Sequence, residues 1–226
     1  MTESKSSVSK RIVSYWLVGA EKQFLAYMGA FAIFLVYELL VSDSDSLKEG
    51  LSFAPGLIMM GGIILLMINA LVAIQTTIPM AISFGSTRKE AFIGSQVVNL
   101  VMVLQIMVIY IGLLEGMKLN QIFDGYSFST ILLYCGMLLA SLGVGQVFAM
   151  FLTKLGPKGT AIFSIVLIAC ICGIMGGLMA INGNLITQLF QDIGKLGIVA
   201  LVGGLVVYVI GAALNLASIK TLQVKG

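Results

Sequence analysis

Six separate runs of the 226-residue chain are each long and apolar enough to cross a bilayer: Phe24 to Val41, Phe53 to Thr76, Phe92 to Leu114, Phe128 to Leu152, Thr160 to Ile181 and Leu196 to Ile219. A hydrocarbon core about 30 Å thick takes about 20 largely apolar residues in a helix. Inside it every backbone N–H and C=O must be bonded within the protein, which leaves helices as the structure for runs of this length. The predicted fold is therefore an all-α membrane protein of six transmembrane helices occupying residues 24–219, with no room for a soluble domain. Composition agrees: 59% of residues are hydrophobic and 10% charged, against about 45–50% and about 25% in soluble domains.

The separators between runs carry the topology. Numbering them alternately, one side receives Lys5, Lys10, Arg11, Lys22, Arg88, Lys89, Lys154, Lys158, Lys220 and Lys225, and the other only Lys48, Lys118 and Lys195. Basic residues accumulate on the cytoplasmic side of membrane proteins, so both termini, including a short tail at 220–226, are expected in the cytosol. The same distribution accounts for the net charge of +3, which is scattered through loops and forms no nucleic-acid-binding patch.

Residues 1–23 differ in kind. Val8, Ile12, Tyr15 and Trp16 recur at helical spacing among Lys10, Arg11, Glu21 and Lys22, which predicts an amphipathic helix on the cytosolic surface with its aromatic pair at the headgroups. The other reading is an inward extension of the first span. The polar start, Met1 to Lys10, does not read as a cleavable signal peptide.

Several chemistries are excluded or disfavoured. The chain has no histidine, which removes the commonest general base and metal ligand. Cys135, Cys170 and Cys172 lie in apolar runs, where thiols serve as small packing groups. Cys170 and Cys172 also sit about 200° apart around a helix, too far to share a metal, so no metal site and no catalytic residue is expected. Proton-coupled carriers bury carboxylates or lysines as relays, whereas here only Glu38 approaches the end of a span. No channel-filter sequence and no Gly-x-Ser-x-Gly elbow is present.

Polar side chains within the spans are the remaining internal candidates. They are Asn69, Gln75, Gln96, Asn99, Gln105, Ser141, Gln146 and Asn215. Each costs free energy against lipid and should face another helix or a wet cavity. Either they bond helix to helix or they line a transport path. The concentration in the second and third spans makes Asn69, Gln75, Asn99 and Gln105 the candidate path residues. Glycines are frequent, and spacings such as Gly173-xxx-Gly177 and Ala200-xxx-Gly204 indicate close helix packing.

The densest local pattern lies between the second and third spans, at Ile78 to Gly94. Pro79 is expected to end the second span, Gly85 to permit a tight reversal, and Thr87-x-x-Glu90 to form a capping box that starts the next helix. The phrase Ile82-Ser-Phe-Gly-Ser-Thr-Arg-Lys-Glu-Ala-Phe-Ile-Gly94, set between the second and third of six spans, resembles the small permease subunits of ABC-2 type transporters of Gram-positive bacteria. The layout matches over the whole chain, while the sequence match is specific only in this loop.

That resemblance implies a coupling loop at about 79–91 that docks into a separate ABC ATPase subunit. Phe84, Gly85, Ser86, Thr87, Arg88, Lys89 and Glu90 would be its docking element. Arg88 would engage an acidic residue through its planar fork, with Lys89 as a point charge beside it. It further implies two permease copies, as a homodimer or with a sister permease, in a bacterial cytoplasmic membrane, exporting hydrophobic or amphipathic cargo such as antimicrobial or cytolytic peptides. The chain carries no Gly-x-x-x-x-Gly-Lys-[Ser/Thr] phosphate loop; Gly194-Lys195 is followed by Leu196, and position 189 is Leu189. ATP and Mg would thus be held by the partner, and this chain would bind no cofactor. A second reading is the substrate-binding membrane subunit of a vitamin importer, for which Ala26-xxx-Ala30 would be the seam to a scaffold subunit.

Overall fold

The computed structural model describes residues 2–41, 54–119, 128–152 and 197–220, and every regular element among them is helical. In chain order they are α1 (Thr2–Val41), α2 (Ala54–Val72), a π-helical turn (Ala73–Thr77), α3 (Ile78–Ser83), α4 (Arg88–Leu119), α5 (Phe128–Leu152) and α6 (Gly197–Lys220). Among the described residues four helices are long and apolar enough to cross a membrane: Ala54–Ser83, Arg88–Gly116, Phe128–Leu152 and Gly197–Ile219. At 1.5 Å per residue the shortest, of 23 residues, reaches about 35 Å. The expected fifth run, Thr160 to Ile181, lies outside the described residues, as do the acidic separator 42–53, Cys170, Cys172 and the tail beyond Lys220.

The N-terminal segment is not set off from the run expected as the first span. α1 is continuous from Thr2 to Val41, because nothing between Gln23 and Phe24 interrupts the backbone ladder and no proline occurs before Pro55. Trp16, expected at the headgroups, is instead buried together with Ala20 and Phe31 in the shared core.

Pro79 also behaves differently from expectation. It does not end the second span; it stands in the first turn of α3, and the helical run continues through it to Ser83. Proline has no N–H for the carbonyl four residues back, and its ring crowds that carbonyl. The chain accommodates this by widening one turn: Ile78 N–H bonds the Ala73 carbonyl, five residues away. The hydroxyls of Thr76 and Thr77 donate to the Val72 carbonyl at 2.8 and 3.4 Å, supplying donors where the regular ladder is disturbed. The resulting α3 continues the helix and is not a separate element lying across the membrane surface.

α2, with the π turn and α3 that continue it, forms an antiparallel hairpin with α4, whose core faces carry Ile58, Leu66, Ile74 and Ile78 on one side and Val98, Met102, Ile106 and Tyr110 on the other. α5 enters at Gly62, where a side chain would meet both Ile106 and Leu138. Tyr27 ties α1 across α2 by donating to the Ile58 carbonyl at 2.6 Å, with its ring lying over Gly61. Tyr110 and Tyr134 join α4 to α5 edge to face at 4.7 Å.

The α5–α6 contact rests on a repeat. Gly197 abuts Ser129, Gly204 abuts Gly136 and Gly211 abuts Gly143. The partners advance together by seven residues on both helices, so α5 and α6 run parallel and in register. Seven-residue recurrence keeps one seam in contact in left-handed packing. At Gly136, Gly143, Gly204 and Gly211 an added Cβ would run into the opposing backbone, so only glycine allows this approach.

Candidate functional site: a double-capped turn and the cleft behind it

The turn between α3 and α4 has no slack. Gly85 has φ +93°, in the left-handed region that glycine enters without penalty. Ser86 N–H bonds the Ala81 carbonyl and Gly85 N–H the Ile82 carbonyl, at 3.1 and 3.0 Å, the paired bonds of a Schellman termination. The expected capping box follows at once. Glu90 N–H donates to Thr87 Oγ1 at 3.2 Å, while Thr87 N–H donates to Glu90 Oε2 at 2.9 Å. With Phe84 N–H on the Met80 carbonyl, all four backbone donors of residues 84–87 are bonded.

This rigid turn holds out an exposed surface. Of the seven predicted docking residues, Phe84, Gly85, Thr87, Arg88, Lys89 and Glu90 are exposed, Phe84 to 69%, and Ser86 alone is buried as the anchor. Arg88 and Lys89 open α4, where the positive end of the helix dipole disfavours cations by about 0.3–1 kcal/mol. Their position therefore gains nothing from the helix dipole.

One to three turns behind it lies a cleft of about 160 Å³ between α1, the π turn and α4. α1 contributes Trp16, Gly19, Ala20 and Gln23, one face at i, i+3, i+4 and i+7. The widened helix contributes Thr76 and Thr77, and Asn69 and Asn99 line the same space. Asn69 Nδ2 donates to Asn99 Oδ1 at 2.7 Å and to Met102 Sδ at 3.2 Å. The four candidate path residues thus divide. Asn69 and Asn99 meet at the cleft, whereas Gln75 is exposed on the π turn and Gln105 half-buried, both away from it.

Gln96 and Gln146 have a bonding role. Gln96 Oε1 accepts from Gln146 Nε2 at 2.8 Å and from the Tyr208 hydroxyl at 2.9 Å, fastening α4, α5 and α6 together. Ser141 is satisfied within its own helix, on the Leu138 carbonyl, and Asn215 is buried with Oδ1 unbonded. Sequence reasoning missed Trp16, Gln23, Thr76 and Thr77 as cleft residues and Tyr208 as the third member of the glutamine cluster. The helical recurrence of 16, 19, 20 and 23 was a usable signal; nothing local marks Tyr208. Among the described residues no group of histidine, cysteine or carboxylate side chains could hold a metal ion. No protein-family model, no curated protein and no solved structure matches this chain.

Proposed function

We propose that this protein is the membrane-spanning permease subunit of an ATP-driven exporter of the ABC-2 type, with six spans and cytosolic termini, moving hydrophobic or amphipathic peptides. The observation that carries this reading is the turn at 84–90: a fully bonded, rigid knob that presents an aromatic tip and two cations set against a helix dipole. A coupling element has to transmit displacement, and a turn without loose backbone does so. Phe84 fits an apolar groove of an ATPase partner, and Arg88 with Lys89 its acidic rim. The parallel course of α5 and α6 supports the topology, because two parallel crossing helices require the chain between them to recross the membrane.

In this mechanism a separate ATPase subunit binds ATP and Mg, a second permease copy completes the pathway, and nucleotide-driven closure pulls on the turns. The pull reaches the π turn and the Asn69–Asn99 pair through α3. Transport requires that the ATPase bind the inward and outward arrangements unequally.

The test is a mild-detergent pull-down of the tagged chain with copy numbers of what co-purifies. Two copies with two ATPase subunits are expected; one copy in an importer scaffold would instead establish the vitamin-importer reading, for which Ala26 and Ala30 are suitably exposed on α1. Reversing Arg88 and Lys89 to glutamate should uncouple ATP hydrolysis from export at normal expression. Unchanged export would sink the docking role.

A further inference from the structure

We propose that the cleft between α1, the π turn and α4 is a binding site for one uncharged amide group of the cargo peptide, with Asn99 and Asn69 as its hydrogen-bonding partners and Trp16 as its apolar wall. The inference rests on the permease reading and adds to it the chemistry that the site selects.

Among the described residues no ionisable side chain lines the cleft. A charged group entering it would lose its hydration without a counter-ion, at a cost that favours neutral ligands. The lining is mixed, with Trp16, Ala20, Val72, Ala73 and Val98 offering apolar surface, so a purely polar ligand would leave much of it uncovered.

The polar groups narrow the choice. Asn69 Nδ2 is engaged by Asn99 Oδ1 and Met102 Sδ, and the sulfur, an acceptor, sets which end of that amide faces it. Asn99 Nδ2 and Asn69 Oδ1 have no hydrogen-bond partner among the described residues, although Asn99 is only 1% exposed. Neither atom is among the fully enclosed unbonded ones, which are Gln146 Oε1 and Asn215 Oδ1, so both keep access to the open space beside them. The Thr76, Thr77 and Ser95 hydroxyls already donate to carbonyls of their own helices and Gln23 is exposed at the edge, so the asparagine pair offers an adjacent donor and acceptor, and a group that both accepts and donates satisfies the two together: an amide does so. The volume of about 160 Å³ suits several waters or one amino-acid-sized group, so the site reads a single residue of a peptide and not its whole length.

Trp16 is the sole tryptophan of the chain, so its emission reports occupancy directly. The test uses the full chain in lipid nanodiscs, with 4-methylpentanamide as the neutral probe and 4-methylpentanoate, its carboxylate counterpart with no amide, as the control. A saturable change in Trp16 emission is expected with the amide, and the carboxylate should need at least about tenfold more for the same change, the loss of one good hydrogen bond with added desolvation. Asn99→Leu should weaken amide binding by about tenfold. Gly19→Phe should abolish it by filling the cleft, and the fold should tolerate it, since a Cβ at Gly19 meets nothing within 4 Å.

An unsaturable response shared by both probes, or an amide response that Gly19→Phe leaves intact, would overturn the proposal. The readout involves no ATPase. Failure here in a chain that captures its ATPase would remove the cleft assignment alone, whereas saturable amide binding in a chain that captures none would uphold the cleft and remove the permease reading.

Discussion

The α5–α6 seam and the α2–α4 hairpin solve the same problem in opposite ways. Lipid tails are as apolar as leucine, so helices in a membrane gain little by hiding apolar surface from each other and must associate by close packing or by hydrogen bonds. α5 and α6 take the first course: glycines every seven residues bring backbone against backbone, leaving no alternative arrangement at that spacing. α2 and α4 take the second at the end nearest the turn, where an asparagine pair, a widened helical turn and a cleft replace continuous packing. An interface made of a few exchangeable hydrogen bonds has other partners to turn to. The contrast predicts that α5–α6 is the stiffer part of the molecule and that the hairpin carrying the exposed turn is the more adjustable.

The largest effect should come from breaking the rigid seam. Gly204→Leu would push a side chain into the Gly136 carbonyl and should cost about 3 kcal/mol or more, the upper range for overpacking, read as a fall in thermal or SDS-induced unfolding midpoint in detergent. Insertion of leucine without loss of stability would show that the seam is not close-packed. At the turn, Gly85→Ala forces a Cβ into φ +93° and should cost about 1 kcal/mol, visible as faster hydrogen exchange at residues 84–87. Thr87→Ala removes the cap of α4 and should cost a similar ~1 kcal/mol, with the exchange increase confined to the first turn of α4.

Smaller still is the hairpin's polar pair. A double-mutant cycle on Asn69→Leu and Asn99→Leu should return a coupling near 0.6 kcal/mol, as for other hydrogen bonds between membrane helices, and under the proposed permease function transport should fall far more than stability does. A coupling several times larger, with transport lost only in proportion to folding, would make the pair a packing device. The smallest change belongs to Gly203→Ala, on the open side of α6 where a Cβ meets nothing within 4 Å; it should stay within about 0.5 kcal/mol of the parent. Gly203 and Gly204 are neighbours in sequence, so their divergence would isolate the seam from glycine content as such.

Much of this architecture was legible in the residues. Apolar run length located the described spans to within a few residues at most ends, and Phe128 to Leu152 to the residue. Thr87-x-x-Glu90 and Gly85 specified their turn, because capping boxes and left-handed glycines are built from bonds only a few residues apart. Proline was misread for an equally local reason. Pro79 usually stops a helix, but the π turn and two threonine hydroxyls in front of it absorb the lost bond, and whether a helix breaks or widens depends on the packing on either side.

What the sequence determined alone is what short range and solvent dictate: helices in the described runs of about 20 apolar residues, which must satisfy their own backbone in lipid, and a tight reversal between the second and third. What tertiary structure decided is which polar groups meet. Asn69 and Asn99 were paired while Gln75 and Gln105, six residues further along each helix, were turned away; Gln96 was joined to Gln146 and Tyr208; and Trp16 was drawn from the surface into the cleft wall. Those outcomes follow from helix rotation and register. Both are set by contacts between residues 30 to 112 positions apart, which no local pattern contains.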